Sequence, residues 1–555
     1  LQAYGKTNEG RPLILAMVSS GRNLENLEEI RKNNLRAVGF EDGGMSGRRI
    51  PIVWLSYNIH GNEASPSEAA LRNLYELVTN DTANWLKDVV VIMDPCINPD
   101  GRDRFVNFFR QAANATPNVY GESWEHVEPW PGGRVNHYLF DLNRDWCWQT
   151  QVESQQRAVR YHQWMPQVHV DYHEQGVNAP YYFGPAAEPF HEVITEWQRE
   201  FQRRAGKNHA RYFDKEGWLY FTREIFDLFY PSYGDTWPTF QGAIGFTYEQ
   251  AGHGTSGRAI LKQNGDTLTL YDRMVHHFTT SLSTIEVAVK QKDELLDQFD
   301  RYFAKARDKA EGPYKSYIIS HQNSPHKLAA FCDLLEKNAI KFGHPKTKGR
   351  SFSGFDYQNH GKSSFSLHEK DILIPMRQSQ ANLIKVLLEP EAKLVDSLTY
   401  DLTAWSLPYA YDLIAYATEE EFEIGGKVVG ENDQEKKINI GSEPYGYVKN
   451  WEDFGSAVFL SKAMQAGFQA RYASIPTKIG EAQLDRGSLV FLKADNREKS
   501  MEDLLKLKEG AQDLMPLYSG FSDEGKDLGS ETFELIKRPK IAIVGGEGTN
   551  PNSFG

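Results

Sequence analysis

The apolar positions in the first half of the chain fall into short unbroken runs, separated by polar and glycine-rich breaks. Leu13 to Val18, Ile52 to Leu55 and Val89 to Met93 are such runs. Runs of this length, bounded by turn residues, predict buried strands. Two further stretches, Pro166 to Gly176 and Phe246 to Gly252, also read as strands, the first with clear alternation. Each ends on charged residues and then a glycine, so polar groups gather at its carboxyl end. Helical spacing lies between the strands. Ser65 is placed as a cap with Pro66 at the first helical position, and Ala69, Leu71 and Leu74 follow. Asn23 to Asn34, Gln151 to Trp164 and residues 186–212 also read as helices. Arg258 to about Ala310 does too, with Leu270, Met274, Phe278, Leu282, Ile285 and Val289 at helical spacing.

The second half repeats the alternation more sparsely. Strands are expected at Lys315 to Ser320, Asp371 to Met376, Ser488 to Ala494 and Lys540 to Gly545. Helices are expected at Pro325 to Asn338, Gln380 to Leu388, Ser456 to Gln469 and Ser500 to Gly510. Strands alternating with helices predict α/β architecture throughout. The expected fold is a mixed sheet flanked by helices over residues 1–310, followed by a second, open-sheet α/β domain over residues 311–555.

Composition changes this picture only by exclusion. Of the 555 residues 40% are hydrophobic and 25% charged, ordinary for a globular protein. A net charge of −13 leaves no basic footprint for nucleic acid or an anionic membrane. No run reaches the length of a membrane span. Three cysteines, Cys96, Cys147 and Cys332, give neither a disulfide framework nor a CxxC pair. The chain starts at Leu1 and stops just after a strand and a glycine turn, so both ends read as cut. Oligomeric state is not legible.

Candidate chemistry sits at the strand ends. His60 and Glu63, in His60-Gly61-Asn62-Glu63, lie where a strand hands over to a helix, the edge at which α/β folds gather their sites. An imidazole and a carboxylate are good zinc donors, and a catalytic zinc takes three protein ligands. His173, last before the Gln-Gly break, is the natural third. A short HxxE pattern alone recurs by accident. Asn98-Pro99-Asp100-Gly101 is a turn followed by Arg102, Arg104 and Arg110, which read either as a solvated loop or as a cation aimed at a substrate carbonyl. Asn143-Arg144 is suited to a terminal carboxylate, or forms a surface salt bridge with Asp145. Glu249 ends its strand as a general base would near a metal. The aromatic stretch Tyr220 to Gln241 is either a cover over a cleft or a packed surface loop.

HGNE, NPDGR, DLNRDW, VDYHEQG and FTYEQAG occur in that order, each at a predicted strand end or in the loop after one. Together they resemble the M14 family of zinc metallocarboxypeptidases, carboxypeptidase A type, over about residues 4–290. The resemblance implies one zinc held by His60, Glu63 and His173, with Asp141 orienting the first histidine. It implies Asn143 and Arg144 as the grip on a C-terminal carboxylate and Glu249 as general base and acid. The arginine that polarises the scissile carbonyl is placed at Arg110 by spacing, with Arg104 as the alternative. Tyr233, beside Tyr230, is nearest to the family's mobile tyrosine. The implied partner is a peptide with a free C-terminal carboxylate, and family habit implies a secreted or periplasmic setting. The Glu-Gln-Ala-Gly ending and the Asn-Arg-Asp-Trp form depart from the digestive members and leave substrate preference open. Two other functions remain: a zinc-dependent deacylase or amidohydrolase of N-acyl amino acids or cell-wall peptides, and a non-catalytic peptide-binding protein on the same fold. The final Ile541-Ala-Ile-Val-Gly-Gly-Glu-Gly loosely resembles the start of a class I glutamine amidotransferase-like domain. No nucleophile turn accompanies it, and that half reads as non-catalytic and incomplete.

Overall fold

The computed structural model describes residues 1–309, 311–395, 398–401, 404–427, 444–507, 511 and 514–542. Strands β1 (Gln2–Lys6) and β2 (Pro12–Val18) form an antiparallel pair at one edge of an eight-stranded sheet. The sheet continues through β3 (Ile52–Tyr57), β4 (Val90–Asp94), β5 (Val168–Gln175), β6 (Tyr181–Tyr182), β7 (Tyr220–Phe221) and β8 (Ile244–Ala251). The spatial order is β1-β2-β4-β3-β5-β8-β6-β7. Its four central strands, β4, β3, β5 and β8, are mutually parallel. Every residue of β3 and β4 is buried, as strands covered by helices on both faces must be, which is why they read as continuous apolar runs. Parallel alignment sets their carboxyl ends side by side along one edge.

Helices Ser65–Thr79, Glu196–Glu216 and Leu270–Lys290 close one face over a core that includes Tyr57, Tyr172, Tyr248, Phe201, Phe213 and Ile285. Tyr57 and Tyr172 stack at 4.3 Å between ring centres, and the Tyr172 hydroxyl meets Ser281 Oγ at 2.7 Å. On the other face Leu27–Val38, Val152–Trp164 and Lys292–Asp308 pack together. Two expected helices start later than their patterns. Residues 187–190 pair with Asp227–Leu228 as short strands, and the helix begins at Glu196, where Thr195 and Gln198 form a capping box. Residues 259–269 form a hairpin around Gly265, whose φ of +89° suits glycine. The Thr269–Asp272 capping box then starts the helix at Leu270.

Beyond residue 311 the open-sheet α/β architecture expected from the sequence is present as two five-stranded sheets. The first runs Gly361–Ser366, Ser351–Asp356, Ala415–Thr418, Ser316–Ile319, Ile372–Pro375; the second runs Met515–Leu517, Gly446–Lys449, Leu489–Leu492, Arg471–Ala473, Phe533–Leu535. All their described pairings are antiparallel. The amidotransferase-like stretch falls almost wholly on residues 543–548, outside the described residues. The first of these sheets shares a core with the large sheet: Tyr317, Phe331 and Leu383 pack in one cluster with Trp146, Trp237 and Phe303. Asn338 fastens the join, accepting from Trp237 Nε1 at 2.8 Å and donating to the Cys147 carbonyl at 3.0 Å. Among the described residues no helix is long and apolar enough to cross a membrane.

Candidate metal centre and cleft

The turn after β3 is held by one side chain. Asn58, at φ +60°, donates through Nδ2 to the carbonyls of His60 (2.8 Å) and Glu63 (2.7 Å). This fixes both residues at the carboxyl edge, and both are buried. His173 arrives from the end of β5. The three converge: His60 Nδ1 is 2.8 Å from Glu63 Oε1, His173 Nδ1 is 3.3 Å from Glu63 Oε2, and the two Nδ1 atoms are 3.2 Å apart. Three basic groups crowded together repel one another unless a proton or a cation lies between them. The residues behind them add negative charge. Asp141 Oδ1 is 3.0 Å from His60 Nε2, and Asp171 Oδ2 is 2.9 Å from His173 Nε2. Carboxylates behind imidazoles orient ring ligands in metal sites.

The electrostatics agree. Burial works against a charged His173, but Asp171 and Glu63 outweigh it and lift its pKa well above the ordinary range. Burial would raise Glu63, yet the two histidines hold it well below the usual carboxylate value. The point therefore favours positive charge, and two nitrogens with one carboxylate fit a zinc. A second group of three candidate ligands, His321, His368 and Asp371, fits less well. The two imidazoles there stack at 3.8 Å and 21°, so in-plane lone pairs run alongside one another rather than meeting.

His60, Glu63, Asn143, Arg144, His173, Tyr233 and Glu249 all border one cavity of about 830 Å³. Glu249 is buried at the end of β8; burial pushes its carboxyl up to about 8, with His173 opposing and Glu63 reinforcing the rise. A dication at the ligand cluster acts the other way and favours the carboxylate. Asn143 borders the same cavity. Its oxygen accepts from Trp146 Nε1 (3.1 Å) and Gly234 N–H (2.9 Å), and its nitrogen faces His173 Nε2 at 3.1 Å. The Asn143 backbone carbonyl also accepts from Arg144 Nη1 at 3.4 Å.

Arg110 does not reach the cavity. It lies exposed in the last turn of the helix Pro99–Ala112. Arg104 is turned to the carbonyls of Val135 (2.6 Å) and Asn136 (2.9 Å). The guanidinium at the ligand cluster is Arg134, which the sequence reading missed. Its Nη1 is 3.2 Å from His60 Nδ1 and 3.3 Å from Glu63 Oε1, and its Nη2 donates to Asp141 Oδ2 at 3.0 Å. Burial opposes its charge, but Asp141 and Glu63 more than restore it. Spacing along the chain could not find Arg134, because a crossing of three glycines brings its loop back. A Cβ on Gly61 would stand 2.5 Å from the Gly133 carbonyl oxygen, and one on Gly133 would stand 2.5 Å from that of Gly101. Only bare backbone passes there. The Pro-Gly-Gly-Arg run in the long loop was the available signal.

Residues 1–217 match the sequence model of the family described as "Zinc carboxypeptidase". Glu249 lies beyond that stretch. No curated protein matches the chain. Among solved structures, a metallo-carboxypeptidase from Burkholderia cenocepacia is similar at 16% identity and a TM-score of 0.37, over 52% of this chain and 64% of that one. A metallo-carboxypeptidase from Pseudomonas aeruginosa, in complex with (2-guanidinoethylmercapto)succinic acid, is similar at 13% identity and a TM-score of 0.35, over 53% and 64%. A carboxypeptidase A from Helicoverpa armigera gives 16% and 0.33, over 52% and 67%. The chain thus spans just under two thirds of the first of these structures. The matched stretch, residues 1–217, contains His60, Glu63, Asp141, Asn143, Arg144 and His173.

Proposed function

We propose that this protein is a zinc-dependent metallocarboxypeptidase that hydrolyses the C-terminal peptide bond of peptides. The observation that carries the reading is the meeting of His60 Nδ1, His173 Nδ1 and the Glu63 carboxylate in one cavity with Glu249. His60, Glu63 and His173 would hold the zinc, which when bound would supply Lewis-acid polarisation of a carbonyl and make a water easier to deprotonate. Glu249 takes the proton from the attacking water and later delivers it to the nitrogen of the departing amine. Arg134 donates to the carbonyl oxygen as negative charge builds there. Arg144 holds the terminal carboxylate on the leaving side, so that the last peptide bond is presented to Glu249.

The test is hydrolysis of an N-blocked dipeptide by zinc-loaded protein, compared with the same dipeptide amidated at its C-terminus. The free acid is expected to be cleaved faster than the amide, a chelator to stop the reaction, and added zinc to restore it. Equal turnover of acid and amide would remove the exopeptidase reading. Turnover that survives the chelator would remove the metal.

A further inference from the structure

The position at which this reading puts the substrate's carboxylate already receives one from the chain itself. Asp401 Oδ2 accepts from Arg144 Nε at 2.9 Å and from the Tyr233 hydroxyl at 2.7 Å. The Arg144 guanidinium lies over the Tyr233 ring, 4.7 Å from its centre. The neighbouring residues are tied down as well. The Tyr400 N–H donates to Asp227 Oδ2 at 2.7 Å, and its ring packs on Phe226 and Tyr233 at 5.3 and 6.1 Å. Tyr400 borders the cleft of about 830 Å³ on one side. With Leu398 and Thr399 it borders a second cavity, of about 690 Å³, on the other. Tyr400 thus stands between the two cavities, and its neighbour Asp401 presents an acid to the leaving-side arginine.

We infer that Asp401 is a specificity-determining residue, an internal carboxylate that competes with the substrate's own for Arg144 and Tyr233. The inference rests on the metallocarboxypeptidase reading, because that reading sends the substrate carboxylate to Arg144. An arginine grips a carboxylate best through two parallel N–H donors, and Asp401 takes the Nε edge. Two carboxylates at one guanidinium repel each other, so a free-acid terminus must displace Asp401 to be held with full strength. The Arg144–Asp401 pair is about one-third exposed on each side, so the barrier to displacement is modest and falls on binding rather than on the chemical step. A leaving side without a carboxylate meets no such competition. Asp401 therefore narrows the preference for free C-terminal acids that Arg144 alone would impose.

The experiment uses the full zinc-loaded chain and two small probes that carry no peptide bond to cleave, 3-phenylpropionate and its neutral amide. Binding is read by calorimetry in the wild type and in Asp401→Asn, which keeps an oxygen for the Tyr233 hydroxyl and loses only the charge. Asp401→Ala is the second variant. The carboxylate is expected to bind about tenfold tighter to both variants, and the amide to gain nothing. Arg144→Ala added to Asp401→Asn should cancel the gain. With the free-acid dipeptide, KM should fall while kcat stays near the wild-type value. Unchanged carboxylate affinity in both variants, or a gain shared equally by the amide, overturns the inference. Failure of the parent reading looks different: no chelator-sensitive hydrolysis in any of these proteins.

Discussion

Glu249 and His173 are register partners on adjacent parallel strands, so their side chains leave the sheet on the same face at the same level. The proposed proton acceptor and a candidate metal ligand are thereby set side by side by backbone hydrogen bonds rather than by a loop. Such a frame holds the acceptor's position when its chemistry is altered. Glu249→Gln should therefore retain one zinc per chain while kcat falls about 10²- to 10⁴-fold, the range for loss of a general base. Metal analysis and steady-state hydrolysis of a blocked dipeptide, run on the same preparation, check both halves. Near-normal turnover in the variant would take Glu249 out of the reaction.

Arg134 and Arg110 separate two accounts of the oxyanion. Arg134 reaches the ligand cluster, whereas Arg110 stands exposed on a helix end. Arg134→Ala is expected to lower kcat by about 10²- to 10³-fold, the effect of removing one oxyanion donor. Arg110→Ala should stay within about twofold of the wild type, as exposed substitutions away from a site usually do. The reverse ranking would restore the assignment made by spacing.

How much of this was legible follows from where each residue sits. His60, Glu63, His173 and Glu249 each close a buried run and precede a break, so local pattern alone puts them at the carboxyl edge. Arg134 sits in a long loop with no periodicity, and its place depends on Gly61, Gly101 and Gly133 passing at backbone distance. Asp401 comes from a different sheet's connections, and nothing near it in sequence points to Arg144. The hairpin Ser351–Asp356/Gly361–Ser366 carries no apolar run: its strands are polar and serine-rich, and their buried aromatics, Phe352 and Phe365, stand one to a strand and face each other across the pair. Strands buried on one face are the harder ones to read.

Asp141 and Asp171 stand behind the two ligand rings, at His60 Nε2 and His173 Nε2. Residues in this position fix ring orientation and ligand basicity without touching substrate. Asp141→Asn and Asp171→Asn should each weaken zinc binding about 10- to 100-fold, measured by competition with a chromophoric chelator. In excess zinc much of the lost turnover should return, which loss of a group acting on substrate would not allow. Unaltered zinc affinity in both variants would leave these carboxylates as fold elements only.

His209 offers a check on the core that is independent of the metal. It is wholly buried, with Nδ1 bonded to Ser283 Oγ (2.7 Å) and Nε2 to the Tyr248 hydroxyl (2.8 Å). Burial pushes its pKa down to about 3, against roughly 6.5 in an unfolded chain. Between those values the unfolded chain takes up a proton that the folded one refuses. Its contribution to stability is therefore complete above about pH 6.5 and declines as pH falls, by up to about 1.4 kcal/mol per pH unit, or about 2 kcal/mol by pH 5. His209→Gln keeps a donor and an acceptor in the same place and cannot titrate. The wild type should be the more stable protein at pH 8, and most of that margin in Tm should vanish by pH 5. Other histidines, the half-buried His162 and the buried His169, are pushed down to about 4 and about 3 by loss of solvent, but they are present in both proteins and cancel in the difference. A margin that is the same at pH 8 and pH 5 would mean that His209 accepts its proton in the folded state, and that the Tyr248–His209–Ser283 chain is open to water.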